Sequence, residues 1–513
     1  MMDRPAVELS SARRWAVLAT LVLAVLLVAI DATVLTVAIP SIAADLEPTA
    51  TQLLWIGDAY SFVLAGLLVI MGNAADRYGR KTVLLIGAAA FGAASVFAAF
   101  APTAEALILA RGLLGVGGAT LMPTTLAIIR TVFTSEQERV AAVGIWGATA
   151  SAGAALGPVL GGILLEYFWW GSVFLVNVPV MVTLLVVGAL VIPESRNPDS
   201  GPLDAYSVVL SFLAIIGTVY ALKEAAVFGL SPALVAVAVL ALVAGVLFAR
   251  RQRRLEDPLV DPSLFADAGF AASVSATFLA MFSLSYLVFY LSQYLQLIEG
   301  YSPLQAGLRE LPATAAATAA SLLTPLVLRH VGRNRAACAG LAMCAAALVG
   351  VLGVTGGYGI LFAVLTIAGF GVGLALTVTT DTAVATAVPE KSGAAASISE
   401  TGYELGVASG IAVLGSLLTW LYARSIVLPE GLSPEEATAA SQSLPGMSRV
   451  ADSLPAEQAE AVLAAGTDAF LSSLHVTSVV GAVVAAAGAL ASLLLLPRRR
   501  PGGLLPSGTA GPG

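Results

Sequence analysis

The sequence predicts an all-α polytopic membrane protein of fourteen transmembrane helices, and three observations carry that prediction. The 513 residues are 58% hydrophobic and 11% charged, with a mean hydropathy of +0.91, against about 25% charged residues in soluble domains. So few charges cannot cover a water-facing surface of this size, and lipid must be the main solvent. Fourteen apolar runs reach the roughly 20 residues that a helix needs to cross hydrocarbon at about 1.5 Å per residue. Lys and Arg, finally, gather on alternate loops, as cytoplasmic segments require.

In chain order the spans fall near 15–39, 53–73, 81–100, 105–127, 140–165, 171–192, 204–223 and 231–249. Six more follow near 268–293, 304–328, 336–354, 358–380, 394–421 and 471–496. The first run is too long for the apolar region of a signal peptide, and further spans follow it. With the N-terminus inside, 20 of the 25 basic residues are cytoplasmic, among them Arg80, Lys81, Arg139, Arg250 to Arg254, Arg329, Arg333 and Arg498 to Arg500. Lys223, Arg309, Arg424 and Arg449 fall outside and Arg111 falls within a span. A missed or extra helix would invert every later loop and erase this bias. Both termini are therefore expected to be cytoplasmic, in the plasma (inner) membrane of a bacterium.

Residues 250–267 (RRQRRLEDPLVDPSLFAD) read as a basic, then Pro-rich, cytoplasmic linker. Residues 423–470 read as a long external loop whose PEEATAASQS and PAEQAEAVLAA stretches resemble short helices; a solvated spacer and a gating or docking hairpin both fit. The turns DRYGRK (76–81) and RHVGRN (329–334) repeat a basic Gly-Arg pattern after spans 2 and 10. Taking spans 7 and 8 as an insertion gives a 6+2+6 plan. Its parts are a tail 1–14, a six-helix bundle 15–192, an insertion and linker 193–267, a second bundle 268–496 and a tail 497–513. Repeats of this kind place a substrate site between them at the midplane.

Four segments carry a resemblance. They are GNAADRYGRKTVLL (72–85), GAALGPVLGG (153–162), LILARGLLGVGGA (107–119) and DATVLTVAIP (31–40). They resemble the loop, antiporter, buried-Arg and first-span motifs of the major facilitator superfamily, and in particular its QacA-like 14-span drug–proton antiporters. The chain departs from those motifs at Leu114, where Gln is usual, and at Thr36, where Asn is usual. The resemblance implies the major facilitator fold and proton-coupled efflux of amphipathic, cationic drugs, with no cofactor beyond the proton gradient. It implies gating roles for Asp76, Gly79 and Arg80, and for Gly153, Gly157, Pro158, Gly161 and Gly162. A dedicated exporter of one metabolite or antibiotic, and an uptake symporter, remain alternatives.

Charges within spans need a reason, because each costs on the order of 2.5–3.5 kcal/mol at the bilayer centre. Counting along the helices puts Asp31 roughly 12 Å, Asp58 roughly 8 Å and Arg111 roughly 9 Å from the outer surface. At that shared depth Arg111 can pair with an acid, and Asp31 is the expected proton-coupling carboxylate, with Asp58 a second acid in the substrate vestibule. Glu400 and Glu404 in ETGYELG (400–406) share a helix face, so one is expected to hold a proton that a cationic cargo displaces. Tyr60, Trp146, Tyr286, Phe289, Tyr290 and Gln293 are candidate cargo contacts, since aromatic faces attract cations; ordinary packing is the alternative for the span-9 stripe. Residues 311–328 contain no acid, which counts against efficient export of divalent cations.

The net charge of −7 argues against a nucleic-acid partner. Cys338 and Cys344 point to different sides of one helix and form no metal pair. His330 and His475 lack ligand company, and the Gly79-Arg80-Lys81-Thr82 string is not a nucleotide loop. No enzymatic constellation emerges. The expected partners are the bilayer, small molecules and protons, and the expected state is a monomer.

Overall fold

The computed structural model describes residues 9–48, 50–196, 204–228, 231–255, 258–301, 303–387 and 392–496. The predicted tail 497–513, most of the tail 1–14, and Lys391 lie outside the described residues. Every described element is helical, and fourteen helices are long and apolar enough to cross a membrane. The first six spans are Ser11–Leu46, Ala50–Tyr78, Arg80–Ala99, Ala104–Val132, Glu136–Tyr167 and Ser172–Val191, and spans 7 and 8 are Ala205–Phe228 and Pro232–Gln252. Spans 9 to 14 are Ala268–Ile298, Pro303–Val331, Arg333–Val354, Tyr358–Thr386, Ser392–Ser425 and Ala456–Leu495.

One apolar core comes from spans 1–6, joined by Val384 and Ala396 of spans 12 and 13, and a second comes from spans 9–14 with the segment between the last two, so the molecule is built as two bundles that touch. The bundles meet along two seams where side chains are small enough for backbones to touch. Gly72 of span 2 lies against Gly393 of span 13, and Gly144 of span 5 lies against the Ser321 carbonyl of span 10; a Cβ at either place would collide. The inserted spans 7 and 8 cover the first seam from outside. Phe62 and Ala65 of span 2, Val219 of span 7 and Ala408 of span 13 form one cluster. The far side of the insertion leaves Leu240 and Leu242 two-thirds exposed, as a lipid-facing surface should be.

Several span ends lie a few residues from those the sequence predicts, and one boundary moves much further. The last helix starts at Ala456 rather than near 471, so PAEQAEAVLAA forms its opening turns. Its 40 residues extend roughly 60 Å, twice the thickness of the hydrocarbon. The predicted external loop thus shrinks to 426–455, and within it Pro434–Gln442 and Leu444–Ser453 form a hairpin packed on the long helix. Ser433 and Glu436 close a capping box on the first of these. Met447 is fully buried against Gly466, and the Tyr422 hydroxyl donates to the Ala440 carbonyl. The PEEATAASQS and PAEQAEAVLAA stretches are both helical, as their sequences suggested, the first as a separate short helix and the second as the opening of the last span.

Candidate functional site

Between the bundles lies a cavity of about 380 Å³, within the size range of small-molecule sites. The first bundle supplies a mostly apolar and aromatic wall that includes Val28, Ala32, Tyr60, Met122 and Trp146. Trp146 is fixed by a hydrogen bond from its indole Nε1 to Thr125 Oγ1 at 3.0 Å. The second bundle supplies the carboxylates Glu310, Glu400 and Glu404, beside Tyr403. Glu400 is 7% exposed, and the Oε1 atom of Glu310 is buried with no hydrogen-bond partner among the described residues. The three acids share the cavity with apolar residues and with hydroxyls such as Thr277, Ser321, Thr377 and Ser399, and carboxylates so placed can attract a cation.

Asp31 and Arg111 come together, but behind the cavity wall. Arg111 Nη1 donates to Asp31 Oδ2 at 2.9 Å, and the two side chains are 2% and 0% exposed. Asn177 Nδ2 donates to the other carboxylate oxygen at 3.0 Å and to Ser95 Oγ at 3.1 Å. Arg111 Nε reaches the Ile56 carbonyl at 3.2 Å, and the guanidinium carbon sits 4.8 Å from the centre of the Tyr60 ring. Neither Asp31 nor Arg111 lines the cavity, whereas Tyr60 does. Sequence reading missed Asn177. A lone Asn at the start of a helix carries no signal until the fold places it against span 1.

The antiporter-like segment acts on span 1. Gly153, Gly157 and Gly161 form a four-residue ridge, and Cβ atoms there would strike Ala29, Thr33 and Val34. This ridge lets span 1 lie close to span 5 on either side of Asp31 in the sequence. Gly162 does not take part: among the described residues nothing lies within 4 Å of where its Cβ would stand. One residue further round an α-helix turns about 100° away from the ridge.

Three further expectations are corrected by position. The span-9 stripe does not face the cavity. Tyr286 is fully buried with its hydroxyl 3.4 Å from Ser478 of span 14, the tilted ring of Tyr290 is centred 5.3 Å from that of Tyr286, and Phe289 is 41% exposed. Gln293 is half-buried and likewise absent from the wall. The opposite face of span 9, with Thr277, Met281, Leu284 and Val288, is the one that lines the cavity. Aromatic periodicity marked a core-facing stripe but could not say which of two buried sides it faced. Asp58 is half-buried and also absent from the cavity wall. Span 10 does carry an acid, Glu310, which lies inside the predicted span 304–328 and one residue before the acid-free stretch 311–328.

At the Arg-rich ends of the spans the bundles are tied together twice. Arg80 Nε and Nη2 donate to Asp76 at 2.9 and 2.7 Å, and Arg80 Nη1 donates to Thr131 Oγ1 at 2.6 Å. Asp76 in turn accepts the backbone N–H groups of Gly393 at 3.1 Å and Ala394 at 3.0 Å, at the start of span 13. A carboxylate at a helix N-terminus meets unsatisfied donors and the positive end of the dipole. Gly79, with φ 108°, makes the turn that an L side chain could not make without strain. In the second tie, Arg139 Nε of span 5 donates to Asp381 of span 12 at 2.7 Å. Arg333 ion-pairs with Asp381 and, at 3.0 Å, with Glu136. Asp381 was overlooked because it stands one residue past the predicted end of span 12.

The comparisons with known proteins agree with this architecture. The "Multidrug efflux pump LfrA" of Mycolicibacterium smegmatis is 44% identical over 94% of this chain and 97% of that protein. The "Methyl viologen resistance protein SmvA" of Salmonella typhimurium is 38% identical over 90% of this chain and 93% of that protein. The solved proton:xylose symporter XylE superposes with a TM-score of 0.61 at 12% identity, covering 96% of this chain and 98% of that one, a likeness of fold. With the family model matching residues 21–411 and two bundles enclosing a cavity at their interface, the chain belongs to the Major Facilitator Superfamily of membrane transporters.

Proposed function

We propose that this chain exports amphipathic cations across the plasma membrane of a bacterium in exchange for protons, with its Arg-rich face in the cytoplasm. One observation carries the reading: carboxylates of the second bundle stand on the wall of a drug-sized cavity, while a buried Asp31–Arg111 pair stands behind its aromatic wall. A cation attracted to Glu310, Glu400 and Glu404 can be met by aromatic faces opposite, worth about 0.5–2 kcal/mol each. Protons compete for the same carboxylates and for Asp31, so cargo and protons exclude one another. The likeness to LfrA, a multidrug efflux pump, and SmvA, a methyl viologen resistance protein, supports export of such cargo.

The ties at the Arg-rich face hold the bundles together on that side. Alternating access requires them to part when the cavity opens to the cytoplasm. Proton coupling then follows from a simple rule: the bundles rock only when the acids carry either cargo or protons, since bare buried charges resist the passage. Purified protein in liposomes with an imposed pH gradient tests the whole reading. Ethidium and methyl viologen should accumulate against their gradients with protons moving the other way, without ATP. Accumulation that ignores the pH gradient would defeat the proposal.

A further inference from the structure

Asp31 is fully buried, does not border the cavity, and is bonded on both oxygens, to Arg111 and to Asn177. Cargo in the cavity therefore cannot touch the carboxylate whose charge state it must sense. Tyr60 bridges that gap. It lines the cavity, and its ring is also the surface against which the Arg111 guanidinium rests, 4.8 Å from the ring centre. Gly115 and Gly118 of span 4 make the fit possible: Cβ atoms there would stand 2.6 Å from the Tyr60 carbonyl and 2.9 Å from its hydroxyl. That hydroxyl is buried and has no hydrogen-bond partner among the described residues, so the ring rather than the hydroxyl explains the placement.

Resting on the antiport reading above, we propose that Tyr60 is the positioning residue that couples cavity occupancy to the protonation of Asp31. One guanidinium has two places to put its charge. While Asp31 is ionised, Arg111 is held by the carboxylate, and the Tyr60 ring is available to a cation in the cavity. When Asp31 takes a proton, the guanidinium loses its counter-ion and leans on the ring, whose π density it then withdraws from the cargo. Conversely, a cation on the ring repels Arg111 towards Asp31 and favours the ionised carboxylate. By linkage the two effects must be equal in size.

The test is the pH dependence of ethidium binding by the purified full-length protein in detergent, measured at pH 6 and pH 8. The charged groups near Tyr60 are Asp31 of span 1, Arg111 of span 4 and Glu404 of span 13, and Glu310 and Glu400 also stand on the cavity wall. An Asp31→Asn background separates their titration from that of Asp31. The parent should bind ethidium more tightly at pH 8, and Tyr60→Leu should lose about tenfold of that difference, which is about 1.4 kcal/mol. Tyr60→Phe, which keeps the ring, should retain it. In the Asp31→Asn background, Tyr60→Leu should no longer change the pH dependence. Tyr60→Met replaces Tyr60→Leu if the latter does not fold. A pH dependence in the ring-less variant within twofold of the parent's, or the same loss with Asp31 already replaced, overturns the assignment. A parent that exchanges no protons for ethidium in liposomes would instead sink the antiport reading, so the two failures are distinguishable.

Discussion

The two bundles solve the same problem at their Arg-rich ends with opposite placement of charge. Each has a turn with a glycine at positive φ, Gly79 at 108° and Gly332 at 84°. Each sends an Arg to a Thr hydroxyl on the fourth helix of its own bundle, Arg80 to Thr131 at 2.6 Å and Arg333 to Thr382 at 2.8 Å. In the first bundle the acid is Asp76, four residues before the Arg, and Arg130 precedes the Thr; in the second those places hold Arg329 and Asp381. Two positions have exchanged sign while the backbone plan repeats. Asp76 consequently grips the other bundle through backbone N–H groups, whereas Asp381 grips it through the side chain of Arg139. The turn geometry is what the repeat dictates; the sign of each charge is free so long as every buried charge ends up paired.

The cavity shows the same asymmetry. The first bundle hides its acid behind an aromatic wall, and the second displays three acids on the wall itself. Replacing Asp31 by Asn should have the largest effect, because it leaves Arg111 buried without a counter-ion, a loss of about 3–5 kcal/mol. Proton-driven ethidium accumulation in liposomes should vanish while the protein remains in the membrane, and normal accumulation would remove Asp31 from the coupling scheme.

Asp381→Asn should come next, since the lost Arg139 pair spans the bundles and the partner charge stays buried, again worth about 3–5 kcal/mol. Spin labels at the exposed positions Gln137 and His330, in a background free of Cys338 and Cys344, should report a longer distance. Asp76→Asn should lengthen it less, by the equivalent of about 1–3 kcal/mol, because between the bundles only hydrogen bonds to backbone N–H are weakened. Equal shifts in the two variants would mean that the exchanged signs carry no consequence. Adding Arg329→Asp to Asp381→Asn gives the second bundle the first bundle's acid, four residues before the Arg. It should restore thermal stability through Arg333 but not the short distance, since Arg139 remains unpaired.

A smaller change is expected from Glu310→Gln. Removing one of three cavity carboxylates should lower methyl viologen export about tenfold, equivalent to about 1.4 kcal/mol, and ethidium export by less, because a dication calls on more than one acid. The smallest effect lies outside both bundles. Asp204 holds Arg251 of the inserted pair at 2.6 and 2.9 Å, and these bonds, with that from Ser207, keep its carboxyl below its ordinary range. A depressed carboxylate stabilises fully above its unfolded value, about 3.9, and loses that contribution as pH falls through the folded value. Asp204→Asn should thus lower the Tm slightly at pH 7, and the gap to the parent should narrow towards pH 3. A constant gap would show that packing, not charge, makes the difference.

Much of this molecule could be read before folding it. Span number followed from apolar length and basic loops, since lipid admits no other solution for backbone polar groups. The shared depth of Asp31 and Arg111 followed from counting residues. Asp381 lies a single residue beyond a span end drawn from hydropathy, which weakens where charged residues enter a helix, whereas Glu310 lies inside the predicted span 304–328 but one residue outside the acid-free stretch 311–328. The span-9 aromatics failed differently, because a helix inside a bundle has two buried faces and periodicity does not rank them.

By itself, the sequence determined how many times the chain crosses the membrane, which loops carry the basic charge, and which acids sit too deep to be incidental. Those are properties of single segments in a one-dimensional solvent gradient. Only the tertiary structure decided that Asp31 lies behind the wall and Glu310 on it, that Asn177 completes the buried pair, and that Asp381 binds across the bundles. Such facts depend on helix rotation and packing between segments up to 242 positions apart in the chain, and local composition is blind to both.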